Sequence, residues 1–124
     1  MASRIALMNA LFDQFGSFLK ELSEMYPDDS DFPLFMTTLK MLRVTNPSML
    51  VKYINETASP FESQILNRDE KFFLDHNYEE YKDVVDINIF SKLKEYVKNM
   101  NEQSKNSVWK YIQNIVRLSK AISP

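Results

Sequence analysis

The chain has 124 residues, of which 44% are hydrophobic and 26% charged, and its formal net charge is −2. This length suits one domain with a core of its own, and we expect a single domain over residues 1–124. The absence of cysteine excludes disulfides, thiolate zinc sites and cysteine nucleophiles. With one glycine in the chain, neither a protein of many β-hairpins nor a phosphate-binding glycine loop is readily built, so helices are expected.

The N-terminal segment has the strongest helical periodicity. Apolar residues recur three and four positions apart from Ile5 to Tyr26, which predicts an amphipathic helix over 3–26. Ser3 is the expected N-cap and Pro27 the stop signal. Gly16 lies inside this helix, where glycine costs about 1 kcal/mol relative to alanine. We therefore expect either a close helix crossing at Gly16 or a locally weak helix.

Three helix starts in the middle of the chain combine a capping residue with a proline. They are Asp31 with Pro33, Asn46 with Pro47, and Ser59 with Pro60 and the capping-box residue Glu62. These starts predict short helices of roughly 10 to 12 residues, a typical length for globular proteins.

The remaining segments differ in regularity. Asp69 can cap a short helix, and the following segment HNYEEY is expected to be an irregular connector or a short helix. Asp86 is the expected cap of a helix over 87–100, and the last helix is expected from Ser104 to Ala121. Together the patterns predict an all-α, compact single-domain bundle of about five to seven helices, several of them short and joined by proline-containing turns.

Catalytic and metal-binding patterns are weak. The single histidine, His76, has acidic neighbours, but a metal site would need a second His or Cys, or an oxygen cage with a glycine turn. The adjacent carboxylates Asp28 and Asp29 are typical of a polar turn, and no serine has the glycine flanks of a nucleophile elbow. We expect no catalytic residue, metal or cofactor, and we predict that the protein is not an enzyme.

Charge is divided unequally along the chain. Residues 1–86 carry a balance of −7 and residues 87–124 a balance of +5. Five cations could form a basic face on the last two helices: Lys94, Lys98, Lys110, Arg117 and Lys120. Such a face could contact nucleic acid or an acidic partner. Alternatively, the lysines simply solvate a helix pair, or the basic part neutralises the acidic part within the monomer or in head-to-tail association.

Trp109 and four methionines raise the same question of burial or exposure. Trp109 is expected to pack in the core, the alternative being an exposed anchor for a partner. Met25, Met36, Met41 and Met49 suit irregular gaps in a core, or else form a groove for a partner helix, in which case several would be exposed together.

Four segments, taken in order, carry a resemblance that covers nearly the whole chain: FDQFGSFLKEL, FPLFMTTLKMLRVTNP, NRDEKFFLDHNY and VWKYIQNIVRLSKAI. In this order they resemble uncharacterised small helical proteins encoded by large nucleocytoplasmic DNA viruses. The resemblance implies a viral accessory or virion component and transfers no site residues.

The leading functional hypothesis is that the protein is a non-enzymatic protein-interaction or assembly module, such as a small virion- or capsid-associated protein. Its expected partner is another protein or a second copy of itself. The alternative is a nucleic-acid-associated protein that uses the basic face. The N-terminus lacks the pattern of a signal peptide, and no run approaches the roughly 18 apolar residues of a membrane span. We therefore expect a soluble, intracellular protein, in host cytoplasm or virion, that is neither secreted nor membrane-spanning.

Overall fold

A computed structural model of the chain describes residues 3–75 and 89–122. These ranges hold helices and turns and no strand, which confirms the predicted all-α bundle with several short helices. The helices are α1 (Arg4–Met25), α2 (Asp31–Thr45), α3 (Ser48–Thr57), a 3₁₀ turn (Ser59–Phe61), α4 (Glu62–Leu66), α5 (Glu70–Asp75), α6 (Ile89–Val97) and α7 (Glu102–Ile122).

Two predicted helix caps are confirmed. The Ser3 hydroxyl oxygen accepts the backbone N–H of Ala6 at 3.1 Å, and α1 ends at Met25, two residues before Pro27. A carboxylate oxygen of Asp69 accepts the N–H of Phe72 at 3.1 Å at the start of α5. In both cases a local side chain satisfies an N–H that has no partner within the helix.

Other predicted starts are displaced. Asp31 is the first residue of α2 and not its cap, and the Asp29 carboxylate accepts the Asp31 N–H at 3.0 Å. Helix α3 begins at Ser48 without a capping side chain from Asn46. Helix α7 begins two residues before Ser104, because Asn101 accepts the Ser104 N–H at 2.8 Å. Helix α6 ends at Val97 instead of residue 100, and its predicted cap Asp86 lies outside the described residues.

The third proline start gives a 3₁₀ turn and a five-residue helix, α4, in place of a helix of 10 to 12 residues. The helix is cut short at Arg68, whose φ of 54° lies in the left-handed region. The Asp69 N–H donates to the Gln64 carbonyl and the Arg68 N–H to the Ile65 carbonyl, which is the Schellman pattern of helix ends. Because arginine stands where glycine is usual, the stop signal is hard to recognise in the sequence.

Helix α1 packs against α2 and against α7, while α3, α4 and the 3₁₀ turn also contact α7. The fully buried residues of α1 lie on its continuous apolar face: Leu11, Phe15, Phe18, Leu19 and Leu22. Ile5, in the first turn, is 75% exposed, so the apolar periodicity extends one turn beyond the buried face.

The burial of Trp109 is confirmed, and its ring meets that of Phe73 edge to face with centroids 5.5 Å apart. Three of the four methionines named above are half-buried against the core, and only Met41 is largely exposed, at 61%. Within the described ranges these methionines therefore do not form a methionine-rich groove.

Candidate interaction surfaces

A polar cluster joins α6 to the turn between α1 and α2. The Lys92 Nζ lies 3.0 Å from a carboxylate oxygen of Asp29 and 2.8 Å from one of Asp31. The Tyr96 hydroxyl donates a hydrogen bond to Asp29, and the Tyr96 ring stacks on Tyr26 with centroids 3.9 Å apart. The cluster thus connects two segments that are distant in the sequence.

The pKa shifts in this cluster favour its charged form. Burial works to raise the pKa of Asp29, but hydrogen bonds donated by Tyr96, the Asp31 N–H and Lys92 outweigh it and lower that pKa. Hydrogen bonding to Asp31, opposed by burial and aided by Asp29, raises the pKa of Lys92. A general base or a nucleophilic lysine would need the opposite shifts. The cluster is therefore suited to fastening α6 to the bundle.

Two further ion pairs join the basic and acidic parts of the chain. Lys105 Nζ lies 3.2 Å from a carboxylate oxygen of Glu70, and Lys120 pairs with Glu62. Together with Lys92, these lysines bring C-terminal positive charge onto acidic residues of the N-terminal part. The uneven charge distribution of the sequence is thus partly balanced within the molecule.

The five residues of the predicted basic face differ in their surroundings. Lys120 is paired with Glu62, and Lys94 is half-buried on α6. Lys98, Lys110 and Arg117 are exposed and form no ion pair with any residue of the described ranges. Lys110 and Arg117 lie seven residues apart on one face of α7, and Lys98 directly follows α6. The structure therefore groups Lys110 with Arg117.

A second surface, absent from the sequence-based predictions, lies on α2. We call it the outer face of α2; its members are uncharged and share one side of the helix: Leu34, Thr37, Thr38, Met41, Val44 and Thr45. Leu34 is 57%, Met41 61% and Val44 85% exposed, and they are three of the four large hydrophobic residues most exposed in the described ranges. The exposure of three large apolar side chains on one helix face makes the outer face of α2 a candidate interaction surface.

The threonines make this face more apolar than the sequence suggests. The hydroxyls of Thr37, Thr38 and Thr45 donate to the carbonyls four residues earlier, at 3.2, 3.1 and 2.7 Å. The hydroxyl protons of these threonines therefore form hydrogen bonds within the helix and are not donated to solvent or to another molecule. The sequence does contain a signal for this exposed face, because apolar residues occur on all sides of α2. A helix with one buried face needs them on that face alone.

No group of three His, Asp or Glu side chains within residues 3–75 and 89–122 could hold a metal ion, and His76 lies outside these ranges. In the part of the chain that the structure describes, each helix is too short or too polar to cross a membrane.

No family model, curated protein or solved structure matches the chain. The resemblance to viral helical proteins stays a prediction.

Proposed function

We propose that the protein is a non-enzymatic assembly module that associates with a second copy of itself through the outer face of α2. The observation that carries the proposal is the exposure of Leu34, Met41 and Val44 on a helix face without charge. A virion- or capsid-associated role, which the viral resemblance implies, would use such an assembly surface.

The lack of charge favours a second copy over a charged partner. In a two-fold symmetric contact the same patch meets itself, so any charge near the axis would face its own like charge. The outer face of α2 avoids this repulsion. Leu34 and Met41 lie seven residues apart, as do Thr37 and Val44, which is the spacing of a helix that packs along another helix.

The size of the face sets the strength of the association. Helix α2 has 15 residues and is therefore about 22 Å long. A single helix face of this length buries less than the roughly 800 Å² per partner of a standard stable interface. We therefore expect a weak dimer that forms with increasing concentration.

Sedimentation velocity from micromolar to millimolar concentration tests the proposal. The weight-average mass should rise from the 14.6 kDa of the monomer toward twice that value. Met41→Lys should abolish the rise, because it opposes two like charges across the symmetry axis. Gln103→Lys, which adds the same charge at an exposed site on α7, is the matched control and should associate like the wild type.

A mass that stays monomeric at millimolar concentration, or association that Met41→Lys leaves unchanged, would contradict the proposal.

The alternative of nucleic-acid binding would depend on Lys98, Lys110 and Arg117, the exposed members of the predicted face. Binding to a labelled duplex that weakens steeply with added salt would support that alternative instead.

A further inference from the structure

A groove between α1 and α2 lies on the side of α2 opposite its outer face. Its floor is formed by Phe12, Gly16, Met36 and Leu39, and its volume is about 280 Å³. Lys20, Lys40 and Arg43 lie along its rim, together with Asp13 and Ser17. An apolar concavity with a few polar groups at its edge is the usual form of a small-molecule site.

Gly16 is the only glycine of the chain, and the fold does not require it. Its φ is not positive, so its backbone conformation is open to any residue. A Cβ built on Gly16 would meet only Leu39 Cδ2, at 3.7 Å, which is ordinary van der Waals contact. What a side chain at this position would remove is space in the groove. The glycine, unfavourable in a helix interior, thus keeps the groove open.

The rim of the groove carries an excess of positive charge. Arg43 closes one end, since its guanidinium contacts Asp13 Oδ1 at 2.9 Å and Asn9 Oδ1 at 3.3 Å. Lys20 and Lys40 are exposed and have no ion-pair partner among residues 3–75 and 89–122. The two free ammonium groups beside an apolar floor are complementary to an anion with a hydrocarbon part.

The dimensions of the groove restrict what can occupy it. Its volume of about 280 Å³ lies just below the roughly 300–1,000 Å³ of typical small-molecule sites, so only a small ligand fits. A partner helix, about 10 Å in diameter, could insert no more than a side chain. We propose that the groove binds a single-chain anionic amphiphile, with its hydrocarbon chain over Phe12 and Gly16 and its carboxylate on Lys20 and Lys40.

Amide chemical shifts of the ¹⁵N-labelled protein, titrated with sodium octanoate, test this proposal. Saturable shifts are expected at residues 12–20 and 36–43. 1-Octanol, which has the same chain without the charge, should bind more weakly, and octyltrimethylammonium should not bind. Lys20→Gln and Lys40→Gln should each weaken octanoate binding about 2- to 5-fold, the range of exposed ion pairs. Lys110→Gln, on α7, is the matched control and should bind like the wild type.

Substitutions of Gly16 separate binding from folding. Gly16→Leu should fill the groove and abolish octanoate binding. Gly16→Ala should weaken binding while raising the melting temperature by about 3–5 °C, because alanine favours the helix. Shifts that do not saturate or that lie outside the groove, equal binding of octanol and octanoate, or undiminished binding to Gly16→Leu would each overturn the proposal.

Discussion

Helices α2 and α7 both pack along α1, but their polar and apolar residues are used in different ways. On α7 the apolar residues face inward, and Lys105 and Lys120 of its polar side pair with carboxylates of α5 and α4. On α2 the apolar residues continue onto the solvent side, where Leu34, Met41 and Val44 are exposed. The polar side of α7 is thus partly paired within the molecule, whereas the uncharged outer face of α2 stays exposed to solvent.

The largest expected effect is a difference in how substitutions in the two helices change the free energy of unfolding of the protein. Trp109→Ala should lower it by about 3–5 kcal/mol, because the side chain is 2% exposed and its removal leaves a cavity. Val44→Ala on the outer face of α2 should change it by less than about 0.5 kcal/mol. Denaturant unfolding followed by circular dichroism measures both. Comparable losses would mean that the outer face of α2 contributes to the folded monomer.

The ion pairs that bind the basic part of the chain to the acidic part should have a smaller effect. Lys92→Met should lower the free energy of unfolding by about 1–3 kcal/mol, because it leaves Asp29 and Asp31 without their shared cation. Lys110→Met, at an exposed lysine of α7, is the control and should change it by less than about 0.5 kcal/mol. If both variants unfold alike, the polar cluster does not fasten α6.

The smallest expected effect is the pH dependence of the difference in stability between the wild type and Lys92→Met. The pKa of Asp29 is lowered in the folded state, so its contribution is present above the unfolded value of about 3.9 and is lost as pH falls through the folded pKa. The pKa of Lys92 is raised, so its contribution is present below about 10.4 and is lost only as pH rises through the folded pKa.

The melting temperatures of wild type and Lys92→Met should therefore differ most between about pH 4 and pH 10 and converge below that range. The Asp29→Asn variant lacks the titrating carboxylate. Its melting temperature should therefore change less than that of the wild type as the pH falls below about 4. A difference that stays constant from neutral pH to pH 2 would exclude the carboxylates as its source.

Several features of the fold were predictable because their causes are local. Ser3 and Asp69 cap helices with their own side chains, and Pro27 follows the end of α1. The end of α4 was not predictable, since Arg68 adopts a conformation that usually requires glycine. Contacts distant in the sequence accompany that conformation: Arg68 donates to Asn106 at 2.7 Å and lies 6.0 Å from the Trp109 ring centroid.

The sequence by itself determined the helical class, the long N-terminal amphipathic helix and the uneven distribution of charge, because periodicity, capping and composition are properties of neighbouring residues. Only the tertiary structure decided which charges meet and which apolar residues stay exposed. Lys120 is separated from Glu62 by more than fifty positions, and their pairing follows from the packing of α4 on α7. Likewise Met41 and Leu39 are both apolar residues of α2, and only the position of α1 buries one and exposes the other.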